Sequence, residues 1–219
     1  FSIYQVVQNG ETRNTQMEVN QAEAILQNEL VQLDQLMHGI SSWDDTYFFA
    51  INKNQAYIDN NLSDTRFASG NIHFFIILDP SSELIYAKYY DIKSKTEQPF
   101  PFPVSQIQQS FQGITSFQNP LVGNTGWGVI LGRPVLIAAR PILTSLEKGP
   151  SHGTLIFGRW IGTEELDAIS QLTKRKVQLM TSEEAKASLP SLPGADTLRD
   201  QVFVRHVDRN MNTGYKYLN

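Results

Sequence analysis

The chain has 219 residues, 41% hydrophobic and 18% charged, with a net charge of −4 and no cysteine. That length and mix describe a folded protein, one large domain or two small lobes sharing a core, and exclude a disordered chain. Without cysteine there are no disulfides, zinc fingers or thiolate nucleophiles, and the longest basic run, Lys174-Arg175-Lys176, is too short to track a phosphate backbone, so nucleic acid is not an expected partner.

No stretch approaches the roughly 20 apolar residues that cross a bilayer. The opening from Phe1 also lacks the charged start, apolar run and cleavage site of a signal peptide. A chain that begins on Phe1 is expected to be a fragment or a processed product, with any membrane anchors outside it.

Glu11 to Ile40 reads as the clearest helix. Val19, Ala22, Leu26, Leu30, Leu33, Met37 and Ile40 recur at spacings of three and four, which places them on one helical face, and no Gly or Pro interrupts Glu11 to His38. At 1.5 Å per residue it would run roughly 40 Å. The stripe suits a core-packing helix, and its spacing also approximates the heptad of a parallel dimer seam. Ser41 to Phe49 and Asn54 to Leu62 predict two short aromatic helices, with Asp44 and Asp45 in a first turn, where the helix dipole favours negative charge.

The period then changes. Asn71 to Leu78 is a continuous apolar run, Asp79-Pro80-Ser81-Ser82 a polar turn, and Glu83 to Tyr90 a second strand, which together predict a hairpin. Pro99, Pro101 and Pro103 mark a loop, and Val104 to Phe111 a short helix. Trp127 to Leu131 and Pro134 to Leu143 predict strands around the tight turn Gly132-Arg133. Beyond a loop at 145–153, Thr154 to Trp160 is another strand, and Thr163 to Leu172 a helix with Thr163 as its cap. Val177 to Met180 and Gln201 to Val207 read as strands, separated by the polar, proline-containing stretch Ser188 to Asp196. Asn210 to Asn219 shows no strong periodicity and is expected to fray or to end inside an element. The expected fold is α+β and PAS-like, a single domain over 1–219. A long N-terminal helix (about 11–40) precedes a mostly antiparallel sheet flanked by helices (about 41–172) and a C-terminal extension (about 173–219).

Motifs for chemistry are sparse. His38, His73, His152 and His206 include no pair at helical i, i+4 spacing, so a histidine metal site has no support. There is no G-x-S-x-G elbow and no phosphate loop, and no cofactor is expected. Asp44 and Asp45 are adjacent carboxylates that would point about 100° apart on a helix; acid–base work would require convergence with partners elsewhere, whereas opening a helix requires nothing more. Trp43, Tyr47, Tyr57, Tyr86, Tyr89 and Tyr90 belong to an aromatic concentration in one third of the chain. Most of it must be core, yet Tyr and Trp tips also suit a small-molecule pocket. Arg140, inside the apolar strand Leu136-Ile137-Ala138-Ala139-Arg140-Pro141, is costly to bury without a carboxylate. It reads either as half of a structural salt bridge or as an anchor for an anionic ligand.

Four segments, in order and spacing, carry a family resemblance: Trp43-Asp44-Asp45-Thr46-Tyr47; Tyr57-Ile58-Asp59-Asn60-Asn61-Leu62; Leu78-Asp79-Pro80 through Tyr86-Ala87-Lys88-Tyr89-Tyr90-Asp91; and Ala138 to Thr144 with Gly153 to Arg159. Together they resemble the CHASE family of extracellular sensory domains, specifically its fourth subtype. Pro80-Ser81-Ser82 departs from that pattern where a Gly-containing turn is usual, which alters only the hairpin. The resemblance implies a PAS-like or Cache-like domain held outside the cytoplasmic membrane between transmembrane helices. It implies an output through a histidine kinase, a cyclic-dinucleotide enzyme or similar.

The expected function is therefore binding, with any enzyme elsewhere in the full protein. An unidentified small molecule would meet Trp43, Tyr47, Tyr90 and Arg140, with Asp44, Asp45 and Asp91 as polar anchors, and a homodimer would form through the N-terminal helix of the receptor. A ligand-free dimerisation module is the alternative, and a hydrolase built on Asp44 or Asp45 a third reading.

Overall fold

Five consecutive apolar residues, Phe74-Phe75-Ile76-Ile77-Leu78, can be hidden only in a strand that is covered on both faces. All five are buried, and the rest of the architecture is arranged around them. A computed structural model describes residues 2–111, 113–173, 176–181, 202–207 and 213–218. The elements run α1 (Ser2–Ser41), α2 (Asp44–Asn52), α3 (Gln55–Asn61), α4 (Asp64–Gly70), β1 (Phe74–Leu78), β2 (Leu84–Asp91), β3 (Thr96–Gln98), α5 (Ser105–Ser110), β4 (Asn124–Ile130), β5 (Arg133–Pro141), β6 (Thr154–Trp160), α6 (Thr163–Thr173), β7 (Lys176–Thr181), β8 (Val202–Val207) and β9 (Thr213–Leu218). Six strands form one sheet in the order β3-β2-β1-β6-β5-β4, and three form another in the order β7-β8-β9. Two compact units emerge: Leu30–Gly126 with Val135–Trp160, and Phe1–Glu29 with Trp127–Pro134 and Ile161–Asn219.

In the first unit β1 lies antiparallel between β2 and β6. Phe75 stands opposite Lys88 and Phe157, and Ile77 opposite Tyr86 and Leu155. Alternate side chains point to opposite faces of a sheet, so Phe75, Tyr86, Lys88, Tyr90 and Phe157 share one face. Helices cover that face: Phe67 of α4 meets Phe75 and Tyr90 with ring centroids 6.0 and 5.9 Å away, and Phe49 of α2 meets Tyr86 at 6.0 Å. Phe74, Tyr89 and Trp160 occupy the opposite face, where Phe100 and Phe102 from the segment between β3 and β4 close over them, 5.6 and 5.2 Å from Phe74. Glycine is required at 158 in β6, because a Cβ there would stand 2.4 Å from Phe74 Cδ2.

The helical stripe on α1 is used inside the protein. Ala22, Leu26, Leu30, Leu33, Met37 and Ile40 are all buried, so these side chains are not available as a dimer seam. The helix also begins earlier than periodicity indicates, at Ser2. Two elements carry weak sequence signals: α4, which ends at Asn71 in the left-handed region (φ 48°), and β3, three exposed residues held only by pairing with β2.

In the second unit α6 begins at Thr163, and the Glu165 carboxylate accepts a hydrogen bond from the Gly162 N–H at 2.8 Å. The Ser170 hydroxyl accepts one from the Val177 N–H at 2.9 Å, which ties α6 to β7. The end of the chain differs from the expected fraying. Thr213–Leu218 is β9, paired antiparallel with β8 from Val207↔Thr213 to Val202↔Leu218. Strand pairing supplies order there that local periodicity does not announce. The stretch 188–196 lies outside the described residues.

Between α2 and α3 the Thr46 and Tyr57 hydroxyls share a buried hydrogen bond of 2.8 Å. Burial pushes the Tyr57 phenol up to about 12, with the Thr46 hydrogen bond acting in the opposite sense. The folded value lies above the unfolded one of 10.0, so the protonated phenol stabilises the fold. That contribution, roughly 2 to 3 kcal/mol, is whole below pH 10 and is lost as pH rises towards 12. Urea denaturation at pH 8 and pH 11.5 is expected to show a steeper loss of stability for the wild type than for Tyr57→Phe, which cannot ionise. Equal losses would remove the assignment.

Candidate functional site

The ends of β1, β5 and β6 leave a cleft of about 300 Å³ beneath the segment that joins β3 to β4. Asp79, Pro80 and Ser82 line it from the β1–β2 turn, Pro141 from β5, Ser151, Gly153 and Thr154 from the entry to β6, and Thr115, Phe117 and Pro120 from the joining segment. The turn is rigid: Asp79 Oδ1 accepts the Ser81 and Glu83 N–H groups at 2.8 and 2.9 Å. Gly153 has φ 129°, and a Cβ there would stand 2.0 Å from the Leu78 carbonyl oxygen, so the chain can pass here only as glycine. Proline rings and Phe117 offer apolar walls, while a carboxylate and several hydroxyls offer polar contacts. This is the composition of a site for a small ligand of mixed character, with a volume at the lower end of such sites. A second cleft of about 360 Å³ opens beside Phe111, Ile114 and Asn124. Its rim is shaped by Asn124, whose amide donates to the Ile114 and Ser116 carbonyls at 3.0 and 2.9 Å.

The 300 Å³ cleft borders a charged latch. Arg140, next to Pro141, donates from Nε and Nη2 to the two carboxylate oxygens of Asp34 on α1, each at 2.7 Å. Its Nη1 also donates to the Leu121 carbonyl, next to Pro120, at 3.2 Å. Gly123 fits the same point closely: a Cβ would lie 2.5 Å from Asp34 Oδ1 and 2.7 Å from Arg140 Cγ. A planar fork meeting a carboxylate on two parallel bonds is the strong form of this interaction, and here one guanidinium joins α1, β5 and the segment over the cleft.

The other residues singled out in the sequence are dispersed. Trp43 is the N-cap residue of α2, with the Arg66 guanidinium 6.0 Å from its ring centroid. Asp44 accepts the Ser145 N–H at 2.9 Å and its hydroxyl at 2.7 Å, and these two bonds hold its carboxyl below the usual range. Tyr47 donates to the Pro150 carbonyl at 3.4 Å and meets the His152 ring edge-on at 4.6 Å. Asp44 and Tyr47 therefore come together on one task, docking the loop between β5 and β6, with help from a 2.5 Å contact between His38 and Glu147. Asp45 points elsewhere, into a small cleft between α2 and α3. Tyr90 is buried under Phe67. Asp91 ends β2; burial raises its carboxyl, but hydrogen bonds from Ser94 and the Lys93 N–H outweigh that and leave it lowered. Arg140 alone of the seven is next in sequence to a residue lining the 300 Å³ cleft.

Sequence reasoning missed Asp34 and Lys88. Lys88 is 6% exposed, with its ammonium on the Leu62 carbonyl at 2.8 Å, on Asp64 at 2.9 Å and on Glu97 at 3.2 Å, above the Phe67 ring. Its alternation with Tyr86 and Tyr90 in β2 was the available signal, since it puts a cation on a face otherwise lined by aromatic rings. Among the described residues no group of acidic or histidine side chains could hold a metal ion, and no helix is long and apolar enough to cross a membrane.

Comparison with known proteins agrees with this architecture. The chain is 28% identical over 151 residues to the methanogenesis regulatory histidine kinase FilI of Methanothrix harundinacea; the match covers 68% of this chain and only 17% of that kinase. Among solved structures, it is similar in fold to a domain of a sensory box/GGDEF family protein from Vibrio parahaemolyticus, with TM-score 0.61, 11% identity and 94% and 95% of the two chains covered. It is also similar in fold to the ligand-binding domain of the Campylobacter jejuni chemoreceptor Tlp3 in complex with L-valine, with TM-score 0.51, 10% identity and 94% and 89% covered. Residues 25–180 match the CHASE4 domain, and the chain belongs to that family of sensory domains.

Proposed function

We propose that the chain is the extracytoplasmic ligand-sensing module of a transmembrane signalling receptor, that it binds a small polar molecule in the 300 Å³ cleft, and that occupancy is relayed through α1. The observation that carries this reading is the adjacency of cleft and latch: Pro120 and Pro141 line the cleft, and of their neighbours Arg140 holds Asp34 of α1 while the Leu121 carbonyl accepts from the same guanidinium. A ligand that draws the joining segment towards the β1–β2 turn acts on the Leu121 carbonyl, and through Arg140 on the helix. Such a relay requires the ligand to favour one arrangement over the other. Membership of the CHASE4 family supports the sensory role and the placement outside the cytoplasm. Catalysis would belong to other parts of the full protein, as the small share of FilI that this chain matches suggests by analogy. Homodimerisation through α1 is part of the same reading, and the outward side of the helix, where Val31 is 44% exposed, is the surface for it.

Two measurements test the two halves of the proposal. Thermal denaturation against a panel of amino acids, carboxylates and polyols is expected to give a hit; a ligand at about 100 times its Kd adds roughly 2.7 kcal/mol. Thr115→Ala and Phe117→Ala are expected to remove that shift while leaving the ligand-free midpoint near wild type. A hit indifferent to both places the site elsewhere, and silence across the panel favours a ligand-free dimerisation module. For the latch, Arg140→Met leaves a partly exposed carboxylate without its partner, at a cost of about 2 kcal/mol, between the values for surface and buried pairs. Hydrogen exchange is expected to rise together in residues 30–41 of α1 and in residues 115–123, and Gly123→Ala is expected to give the same paired pattern. A change confined to one segment would sever the relay.

A further inference from the structure

The cleft between α2 and α3 is independent of the one above and has a different chemistry. It measures about 190 Å³ and is lined by Asp45 and Phe48 from α2 and by Asn54, Tyr57, Asn60 and Asn61 from the turn and helix that follow. Tyr57 forms its floor, fixed by stacking on Phe49 at 4.4 Å and by its hydrogen bond to Thr46. Asn54 is already engaged, accepting the Tyr57 N–H at 2.9 Å and donating to Asn52 at 2.7 Å. The side chains of Asp45, Asn60 and Asn61 make no hydrogen bond or ion pair among the described residues. Phe48, one helical turn from Asp45, stands 55% exposed at the edge. The Phe48 ring meets Tyr47 edge-on at 5.8 Å and still leaves more than half of its surface open beside one carboxylate and two uncommitted amides.

We infer that this cleft is a second binding site, for a single saccharide ring. The donor and acceptor inventory selects the class. A carboxylate only accepts and an amide both accepts and donates, so the ligand must present groups that do both at close spacing, which is what vicinal hydroxyls offer. The ring of Phe48 supplies an apolar surface for the C–H face of the same ligand. An anion is disfavoured by Asp45, a hard divalent cation would find one carboxylate where it takes six to eight oxygens, and an apolar ligand would strand the amides without partners. The volume is below that of sites for drug-sized molecules, which suits one ring and excludes a longer ligand held along its whole length.

The test is a titration of the ¹⁵N-labelled chain with D-glucose, D-galactose, N-acetyl-D-glucosamine and their methyl glycosides, followed through the side-chain amide signals of Asn60 and Asn61. Saturable shifts are expected for at least one sugar. Phe48→Ala and Asp45→Ala, both at exposed positions where the fold tolerates change, are each expected to weaken binding at least tenfold while the backbone spectrum stays native. Equal binding of the methyl glycoside identifies the end of a glycan chain as an acceptable source. Its loss identifies the free sugar, and either result upholds the saccharide class. Absence of saturable shifts for every sugar, shifts with calcium chloride alone, or binding that survives the Phe48→Ala, Asp45→Ala double variant overturns the proposal.

Discussion

Arg140 stands in β5 directly after Leu136, Ile137, Ala138 and Ala139, all fully buried. A guanidinium in that position must be matched or the strand cannot dock. Asp34 matches it with two parallel bonds of 2.7 Å, and the Leu121 carbonyl takes up a further donor. The consequence is geometric as well as electrostatic. The fork tolerates little change in distance or plane, so it fixes the rotation of α1 about its own axis and the height of the segment between β3 and β4 above the sheet. A hydrophobic contact in the same place would hold these elements together and let them slide.

The two faces of the sheet serve that constraint differently. On the helical face, rings from α2 and α4 lie over Phe75, Tyr86 and Tyr90, and Lys88 enters the same layer only because Leu62, Asp64 and Glu97 supply three oxygens for its ammonium. Burial alone would lower the Lys88 pKa; the two carboxylates more than offset it and leave it raised, so the cation stays charged. On the opposite face Phe74, Phe100, Phe102 and Trp160 form a continuous aromatic layer. With that layer filled, the open space beside the sheet lies at the strand ends in the described residues. The 300 Å³ cleft is accordingly bounded by turns and connecting segments.

Legibility in the sequence follows the range of the interaction that determines each feature. The apolar run of β1, the stripe on α1 and the hairpin around Gly132 are local patterns, and each gave an element of the expected kind, with boundaries shifted by a few residues in the strands and by nine at the start of α1. Arg140 announced its need for a carboxylate, but the partner lies 106 residues away on the flank of a helix that carries several polar residues. Nothing in local spacing separates Asp34 from its neighbours. The cleft was illegible for a similar reason: 79–82 reads as a turn, 151–153 as part of a loop and 115–120 carries no element signal, and only the sheet brings them together. Trp43, Asp44 and Tyr47 lay in a readable motif, yet a motif cannot distinguish a side chain that docks a loop from one that meets a ligand. Asp44 and Tyr47 reach Ser145 and Pro150, more than 100 residues on.

That docking bears on how a signal could travel. The loop between β5 and β6 is held to the end of α1 and to α2 by Asp44, Tyr47, His38 and the Leu143 N–H, which donates to the Ser41 carbonyl at 3.0 Å. One wall of the cleft is thereby fixed relative to the helices. The segment of the opposite wall, 115–120, is joined to α1 through the Leu121 carbonyl on Arg140 and the close fit of Gly123 against Asp34. Under the proposed relay, motion on ligand binding concentrates on that wall and reaches the helix at the fork. Coupling energies between sites commonly amount to 1 to 3 kcal/mol, on the scale of one well-formed charged pair. Complete switching of a two-state equilibrium needs about 5.5 kcal/mol of preferential binding. Under the proposed relay, one latch is enough to bias α1 between two arrangements and too little to drive it outright, which requires a helix whose two states lie close in energy.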